Sequence, residues 1–212
     1  MTLRVLLTGF EPFGGEAINP SWELARTLAE SATPHEGLAL CAERLPVDRA
    51  TYAEALAQAI ERHLPDVVLA LGQATGRGAI HLERLAYNDI DYKGAADNGG
   101  HEVSGEALYR DAPETLAASL PLESLCDSLQ AAGHPVEVSS DAGRFLCNAV
   151  LFELRHVHSA LPAAFVHLPL LPEQAARRDK GEPSLSAQVT QACLADLLRH
   201  LAPPLPEPGD DA

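Results

Sequence analysis

The sequence predicts an α/β fold, a single three-layer α/β/α domain built on a twisted, mostly parallel sheet. Three observations predict it. Short apolar runs of strand length alternate with segments of helical spacing nearly throughout the chain. The clearest run, DVVLALG at 66–72, is apolar on both faces, as a strand covered on two sides requires. Apolar residues make up 46% of the 212 positions, enough for one full core.

The elements follow in order. Leu3–Leu7 is an apolar run suited to a buried strand, and GFEPFGGEAINP follows as a Gly- and Pro-rich loop. Asn19 then Pro20 marks a helix start, a cap residue before a proline whose missing N–H costs nothing there. Trp22, Leu24, Ala25 and Leu28 carry the helical spacing. Leu38–Leu45 reads as a second strand, Asp48 caps a helix running to about His63, and Pro65 opens the strand at 66–72. Gln73–Gly78 is a turn and Ile80–Asn88 an extended segment. From Asp89 to about Pro121 no period is sustained, which predicts a long irregular insertion of the kind that carries function. Leu122–Ala132 is a helix closed by Gly133, Val136–Ser139 a short strand, Phe145–His158 a helix, Ala164–Leu168 a strand and Ser184–Leu201 a last amphipathic helix. The domain is expected to span 1–202, with a Pro- and Asp-rich tail at 203–212. Parallel sheets place ligands at strand C-terminal ends, so the loops at 9–19, 72–78 and 168–173 are the ones to watch.

The formal charge of −15 excludes the basic footprint of a nucleic-acid binder and disfavours an anionic membrane surface. No apolar stretch approaches the roughly 18 residues of a membrane span. The first residues run as a strand into a loop, without the pattern of a secretory leader. The cysteines Cys41, Cys126, Cys147 and Cys193 show no CxxC spacing, so free thiols in a reducing cytoplasm are expected.

Cys147 stands in DAGRFLCN ahead of an apolar helix. A cysteine in a first helical turn meets backbone N–H groups and the positive dipole end, both of which favour thiolate, and Arg144 can add to this. The alternative is a buried structural cysteine, which is how Cys41, Cys126 and Cys193 read. His167 ends the run AFVHLP, where an acid/base suits an α/β enzyme, or where a half-buried histidine is satisfied by backbone. The other histidines read as solvated. Strand alternation puts Glu83 on a face with His81 and Leu85, so its carboxylate needs a partner: His81, Arg77, Arg84, or the imidazole of a thiol–histidine–carboxylate set. Phe10 and Phe13 beside Gly9, Gly14 and Gly15 suit a flat neutral ring, or act as plugs under the loop. The glycine spacing is wrong for a phosphate loop. HEVSG at 101–105 lacks the second histidine of a zinc-peptidase motif, and His156 and His158 are two apart, so no metal site is expected.

Together GFEPFGGEAINPS (9–21), GQATGRGAIHLERLAYN (72–88), DAGRFLCNAVLF (141–152) and FVHLPLLPEQ (165–174) resemble the pyroglutamyl peptidase I family of cysteine peptidases, over about residues 3–200. The resemblance implies an α/β/α domain with no metal or organic cofactor, a homo-oligomer, often a tetramer, and peptides with N-terminal pyroglutamate as substrates. It implies Cys147 as nucleophile, His167 as acid/base and Glu83 as third member, with Phe10 and Phe13 flanking the pyrrolidone ring and Gln73 and Phe145 lining the pocket. One position departs: Lys93, followed by Gly94, stands where the family has an arginine thought to help hold the oxyanion. Two alternatives remain at this point. One is a family member that binds pyroglutamyl peptides without turnover, supported by Lys93 and opposed by the filled triad positions. The other is a phosphorylase or hydrolase on a similar scaffold, opposed by the missing phosphate motif.

Overall fold

The computed structural model describes residues 2–31, 37–178 and 181–202, so the expected tail at 203–212 lies outside the described residues. The chain opens with β1 (Leu3–Phe10), α1 (Pro20–Ala29), β2 (Leu38–Leu45), α2 (Tyr52–His63) and β3 (Val67–Gln73). It continues through β4 (Ile80–Glu83), β5 (Leu85–Tyr87), β6 (Thr115–Ala117), α3 (Leu122–Ala131) and β7 (Val136–Ser139). It closes with α4 (Leu146–His156), β8 (Ala163–Leu168), α5 (Pro172–Ala175) and α6 (Ala187–Leu201).

The main sheet has six strands in the order β2-β1-β3-β8-β4-β7. All neighbours pair in parallel except β4 and β8, which are antiparallel. The sheet is therefore mostly parallel, as expected. One face carries Val5, Leu7, Leu69, Leu71, Leu82 and Val166 and is covered by α1, α3 and α6. The other carries Leu6, Val68, Ala70 and Phe165 and is covered by α2 and α4. From β1 the chain crosses by α1 over one face to β2, then returns by α2 over the other face to β3. The carboxyl ends of β1 and β3 thus form a topological switch point, where a crevice opens.

The cap at the start of α1 shapes the loop at that crevice. Asn19 Oδ1 accepts the Ser21 N–H at 3.1 Å, and the Ser21 hydroxyl accepts the Phe10 N–H at 3.0 Å. The helix start and the end of β1 are held as one piece, which fixes where Phe10 points.

Several boundaries differ from the sequence expectation, each for a local reason. Asp48 Oδ1 accepts the Ala50 N–H and closes a turn, so α2 begins only at Tyr52. The expected segment 80–88 splits at Arg84: its N–H is donated to the Ser139 carbonyl while its carbonyl accepts the Ala118 N–H. That crossover sends β4 to the main sheet and β5 to a separate pairing with β6. Strand β6, Thr-Leu-Ala, lies inside the stretch expected to be irregular. Ser184 is taken by a bridge to Leu170, and α6 starts three residues later, capped by Ser186. Among the described residues no helix is long and apolar enough to cross a membrane.

A Cβ on Gly9 would stand 2.5 Å from the Ser21 carbonyl and from Trp22 Cα, all of them backbone. Backbone so close cannot yield, so Gly9→Ala is expected to lower the unfolding free energy by about 1–3 kcal/mol, read as a lower midpoint in urea.

Candidate active site

The cleft at the switch point is lined by Phe10, Phe13, Asn19, Val47, Gln73, Phe145, Leu146 and Cys147. Its mostly apolar lining, with Phe10, Phe13 and Phe145 as aromatic walls, suits one small flat ring. Phe13 stacks on Phe145 with ring centres 5.9 Å apart, and the Tyr92 ring packs on Phe145 as well, tilted, at 4.2 Å. The long segment after β5 is tied to this wall. Asn98 Nδ2 donates to Glu11 Oε1 at 2.7 Å and to the Pro12 carbonyl at 2.9 Å. The four expected pocket residues Phe10, Phe13, Gln73 and Phe145 all face one cleft; Asn19, Val47 and Leu146 join them, and their apolar or cap-like character gave no separate signal.

Cys147 is the second residue of α4, and the residue before the helix, Phe145, makes no side-chain cap. The sulfur comes down on the sheet where β3 offers only a glycine. A Cβ on Gly72 would lie 2.9 Å from Cys147 Sγ and 2.6 Å from Phe165 Cζ. Gly72 is in turn the register partner of His167 on β8. The helix end is held by buried Asn148, whose Oδ1 accepts the Tyr87 N–H and whose Nδ2 donates to the Tyr87 and Asp89 carbonyls, each at 2.8 Å. A polar residue in an otherwise apolar helix start was the sequence signal for that clamp.

His167 and Glu83 are buried, at 4% and 0% exposure, and His167 Nδ1 lies 2.8 Å from Glu83 Oε1. Burial alone would raise the Glu83 pKa. The hydrogen bond and charge of His167 outweigh it, helped by the Ser139 hydroxyl and Arg77, and the net shift is downward. An ionised carboxylate can only accept, so Nδ1 carries the proton and Nε2 is left as the basic nitrogen. Arg77 supports the pair: its Nη2 is 3.4 Å from Glu83 Oε1 and donates to the Asp141 carbonyl at 2.8 Å, while Nη1 meets His81 Nδ1. The candidate partners of Glu83 thus resolve to His167 and Arg77. Arg84 reaches instead to Glu123 and Ser140.

Three expectations are corrected. First, the Cys147 thiol is not biased to thiolate. Burial, then the negative charge of Glu83, push its pKa up to about 12 against the smaller lowering by its own backbone N–H and Arg77. The residue as a whole is only half-buried, but its sulfur is the part packed on the sheet. Second, Arg144 does not add to the site's positive potential: its guanidinium pairs with Asp141 and Asp89 and lies 3.7 Å over the Tyr87 ring. Third, the other histidines are not all solvated. His81 is half-buried beside Arg77, and His134 Nε2 lies 2.6 Å from Asp196 Oδ2.

Lys93 is exposed on a left-handed backbone (φ 50°), with its N–H donated to Asp91 Oδ1. Its ammonium makes no hydrogen bond or ion pair among the described residues. Cys126 and Cys193 are buried and Cys41 half-buried, all as free thiols. Asp48, Asp97 and His101 bring three ligand-type atoms together. Asp97 is already satisfied by the Arg49 and His101 N–H groups, each at 2.8 Å. A thiol, an imidazole aimed by a buried carboxylate, and a small apolar slot are the parts needed for acyl transfer through a thioester.

Comparison with known proteins gives a consistent result. The family model described as pyroglutamyl peptidase matches residues 3–197. The pyrrolidone-carboxylate peptidase of Gloeobacter violaceus is 45% identical over 191 residues, covering 89% of this chain and 91% of that protein. That of Vibrio vulnificus is 43% identical over 187 residues, covering 87% and 86%. Among solved structures, pyroglutamyl peptidase I from Bacillus amyloliquefaciens superposes with a TM-score of 0.85 at 33% identity, covering 94% of this chain and 95% of that one. The pyrrolidone carboxyl peptidase of Fervidobacterium islandicum superposes with a TM-score of 0.88 at 33% identity, covering 94% and 98%.

A thiol with a raised pKa reacts as thiolate only as pH climbs, so alkylation of Cys147 by iodoacetamide in the substrate-free protein is expected to keep accelerating between about pH 8 and pH 10. A plateau near neutrality would instead mean a preformed thiolate–imidazolium pair.

Proposed function

The chain belongs to the pyroglutamyl peptidase family, and from that membership and the geometry of the cleft we propose that Cys147 is its nucleophile, His167 its acid/base and Glu83 the group that orients His167. The protein is a cysteine omega-peptidase, which hydrolyses the amide bond after an N-terminal pyroglutamyl residue. The observations that carry the assignment are the Cys147 sulfur lying over Gly72, whose register partner on β8 is His167, and the hydrogen bond between His167 and Glu83.

Pyroglutamate is a cyclised, uncharged N-terminus, so there is no α-ammonium for a carboxylate to grip. An apolar slot walled by Phe10, Phe13 and Phe145 takes the ring and rejects a charged one, which would have to shed its water. Because burial and the Glu83 charge favour the neutral thiol, His167 Nε2 removes the proton as Sγ attacks the carbonyl, rather than before. The oxyanion is stabilised by first-turn N–H groups of α4, left without a side-chain cap. His167 then protonates the leaving amine, and a water activated by the same nitrogen hydrolyses the thioester. Glu83 stays ionised and holds the imidazole in the required tautomer. Support for Lys93 is its place next to Tyr92 on the pocket wall, and we assign it a longer-range positive charge toward the oxyanion.

Residues 1–202 are read as one catalytic domain, acting in the cytoplasm on pyroglutamyl peptides as a homo-oligomer, with a tetramer as the expected size in light scattering.

The test is release of a fluorogenic amine from its pyroglutamyl amide, beside prolyl and glutamyl analogues. Release from the pyroglutamyl amide alone, abolished by iodoacetamide and by Cys147→Ala without loss of folding, is the expected result. Turnover surviving in Cys147→Ala would sink the nucleophile assignment, and binding without turnover in the unmodified protein would make this a binding module. Glu83→Gln is expected to lower kcat by on the order of 10³–10⁴ with the fold retained, through loss of the correct tautomer. Lys93→Ala is expected to cost less than about tenfold in kcat; a loss of roughly 10²–10³ would make it a direct oxyanion donor.

A further inference from the structure

Gln174 lies on α5, outside the cleft, and is fully buried at 0% exposure. Its Oε1 accepts the Leu171 N–H at 3.0 Å. Its Nε2 donates to the Ile18 carbonyl at 3.4 Å and to Gln73 Oε1 at 3.0 Å. The two ends of an amide have nearly the same shape, so their orientation has to be argued from their partners. Here the partners decide it: a backbone N–H can only donate and a backbone carbonyl can only accept. Both ends of the Gln174 amide are therefore assigned, and its N–H2 edge faces Gln73. Gln73 must answer with its oxygen. Its Nε2 is left with no protein partner among the described residues, on a side chain that lines the cleft.

We propose that Gln174 is a positioning residue for substrate selection. A polarised chain runs from the Leu171 N–H through Gln174 to Gln73 and holds the Gln73 amide so that the cleft presents an N–H donor to the ring carbonyl of pyroglutamate. This rests on the assignment of the cleft as the pyroglutamyl site. A prolyl ring fills the same volume but has no carbonyl, and it would leave that donor desolvated and unpaired. Without Gln174 the Gln73 amide is free to turn its oxygen inward, where it faces the lactam oxygen.

Gln174→Glu, assayed at a pH high enough to ionise its buried carboxyl, keeps the shape and the bond from Leu171 but turns an acceptor toward Gln73, which reverses the chain. Gln174→Met keeps the bulk and removes the polarity. For the fluorogenic pyroglutamyl amide, Gln174→Glu is expected to raise KM by about tenfold or more, with kcat changed by less than about threefold. The inhibition constant of free 2-pyrrolidone should rise in parallel, and the rate of Cys147 alkylation should stay at the wild-type value. Gln174→Met is expected to raise KM by about threefold. In a Gln73→Met background neither change should shift KM further, because the relay has lost its end. A wild-type KM in Gln174→Glu, an effect of Gln174→Met as large as that of Gln174→Glu, or effects that add to Gln73→Met would each overturn the proposal. If Gln174→Glu does not fold, Gln174→Met decides: a KM rise that vanishes in the Gln73→Met background supports the relay, and a rise that persists there, or no rise, refutes it. Wild-type turnover is measured first. Its absence would refute the peptidase assignment, whereas normal wild-type turnover with unaffected variants would refute the relay alone.

Discussion

The close approach of α4 to the sheet over Gly72 is the constraint on which the rest of the site depends. A side chain there would occupy the space of the Cys147 sulfur and the Phe165 ring together. Because β3 offers bare backbone at that point, a helix from one layer can deliver its second residue onto the strand next to β8. Asn148 then locks the helix end to the chain leaving β5, so the sulfur is placed by a helix and a sheet rather than by a mobile loop. Sites built on rigid elements hold their geometry better than sites built on loops.

The second requirement is a buried negative charge. A carboxylate with no exposed surface is costly unless it is paired and hydrogen-bonded. Glu83 meets that condition at Oε1, through His167 and Arg77, while its Oε2 is buried without a hydrogen-bond partner among the described residues; Arg77 is itself held by Asp141 and His81. The antiparallel run of β4 matters here. It places Glu83 opposite Phe165, two residues before His167 on the neighbouring strand, so the carboxylate reaches the imidazole from within the sheet. The opening of the cleft stays clear for the substrate.

Much of this was legible in the chain itself. Strands β2 and β7 fall where the sequence pattern puts them, and the Asn19–Pro20 start of α1 is where its cap chemistry puts it. The aromatic loop, Gln73, Cys147, Glu83 and His167 could be named because four segments together resemble one family. What was illegible depends on contacts distant in sequence. Strand β6 is three residues long with two of them exposed, too short to show a period. The direction of β4 leaves no mark in alternation, because a strand alternates identically either way. The helix-dipole argument for a Cys147 thiolate used only local chain, and it lost to burial and to a charge 64 residues upstream, at Glu83. Gln174 sat in a recognised segment, but its contribution runs through Gln73, 101 residues away.

The upward shift of the Cys147 pKa bears on chemistry other than peptide hydrolysis. Peroxides and other oxidants attack thiolates far faster than thiols, and a permanently ionised cysteine in an open cleft would climb the ladder to sulfenic and sulfinic acid. In this protein burial and the Glu83 charge both favour the protonated form of Cys147. The surroundings that place the sulfur therefore also favour its less readily oxidised form.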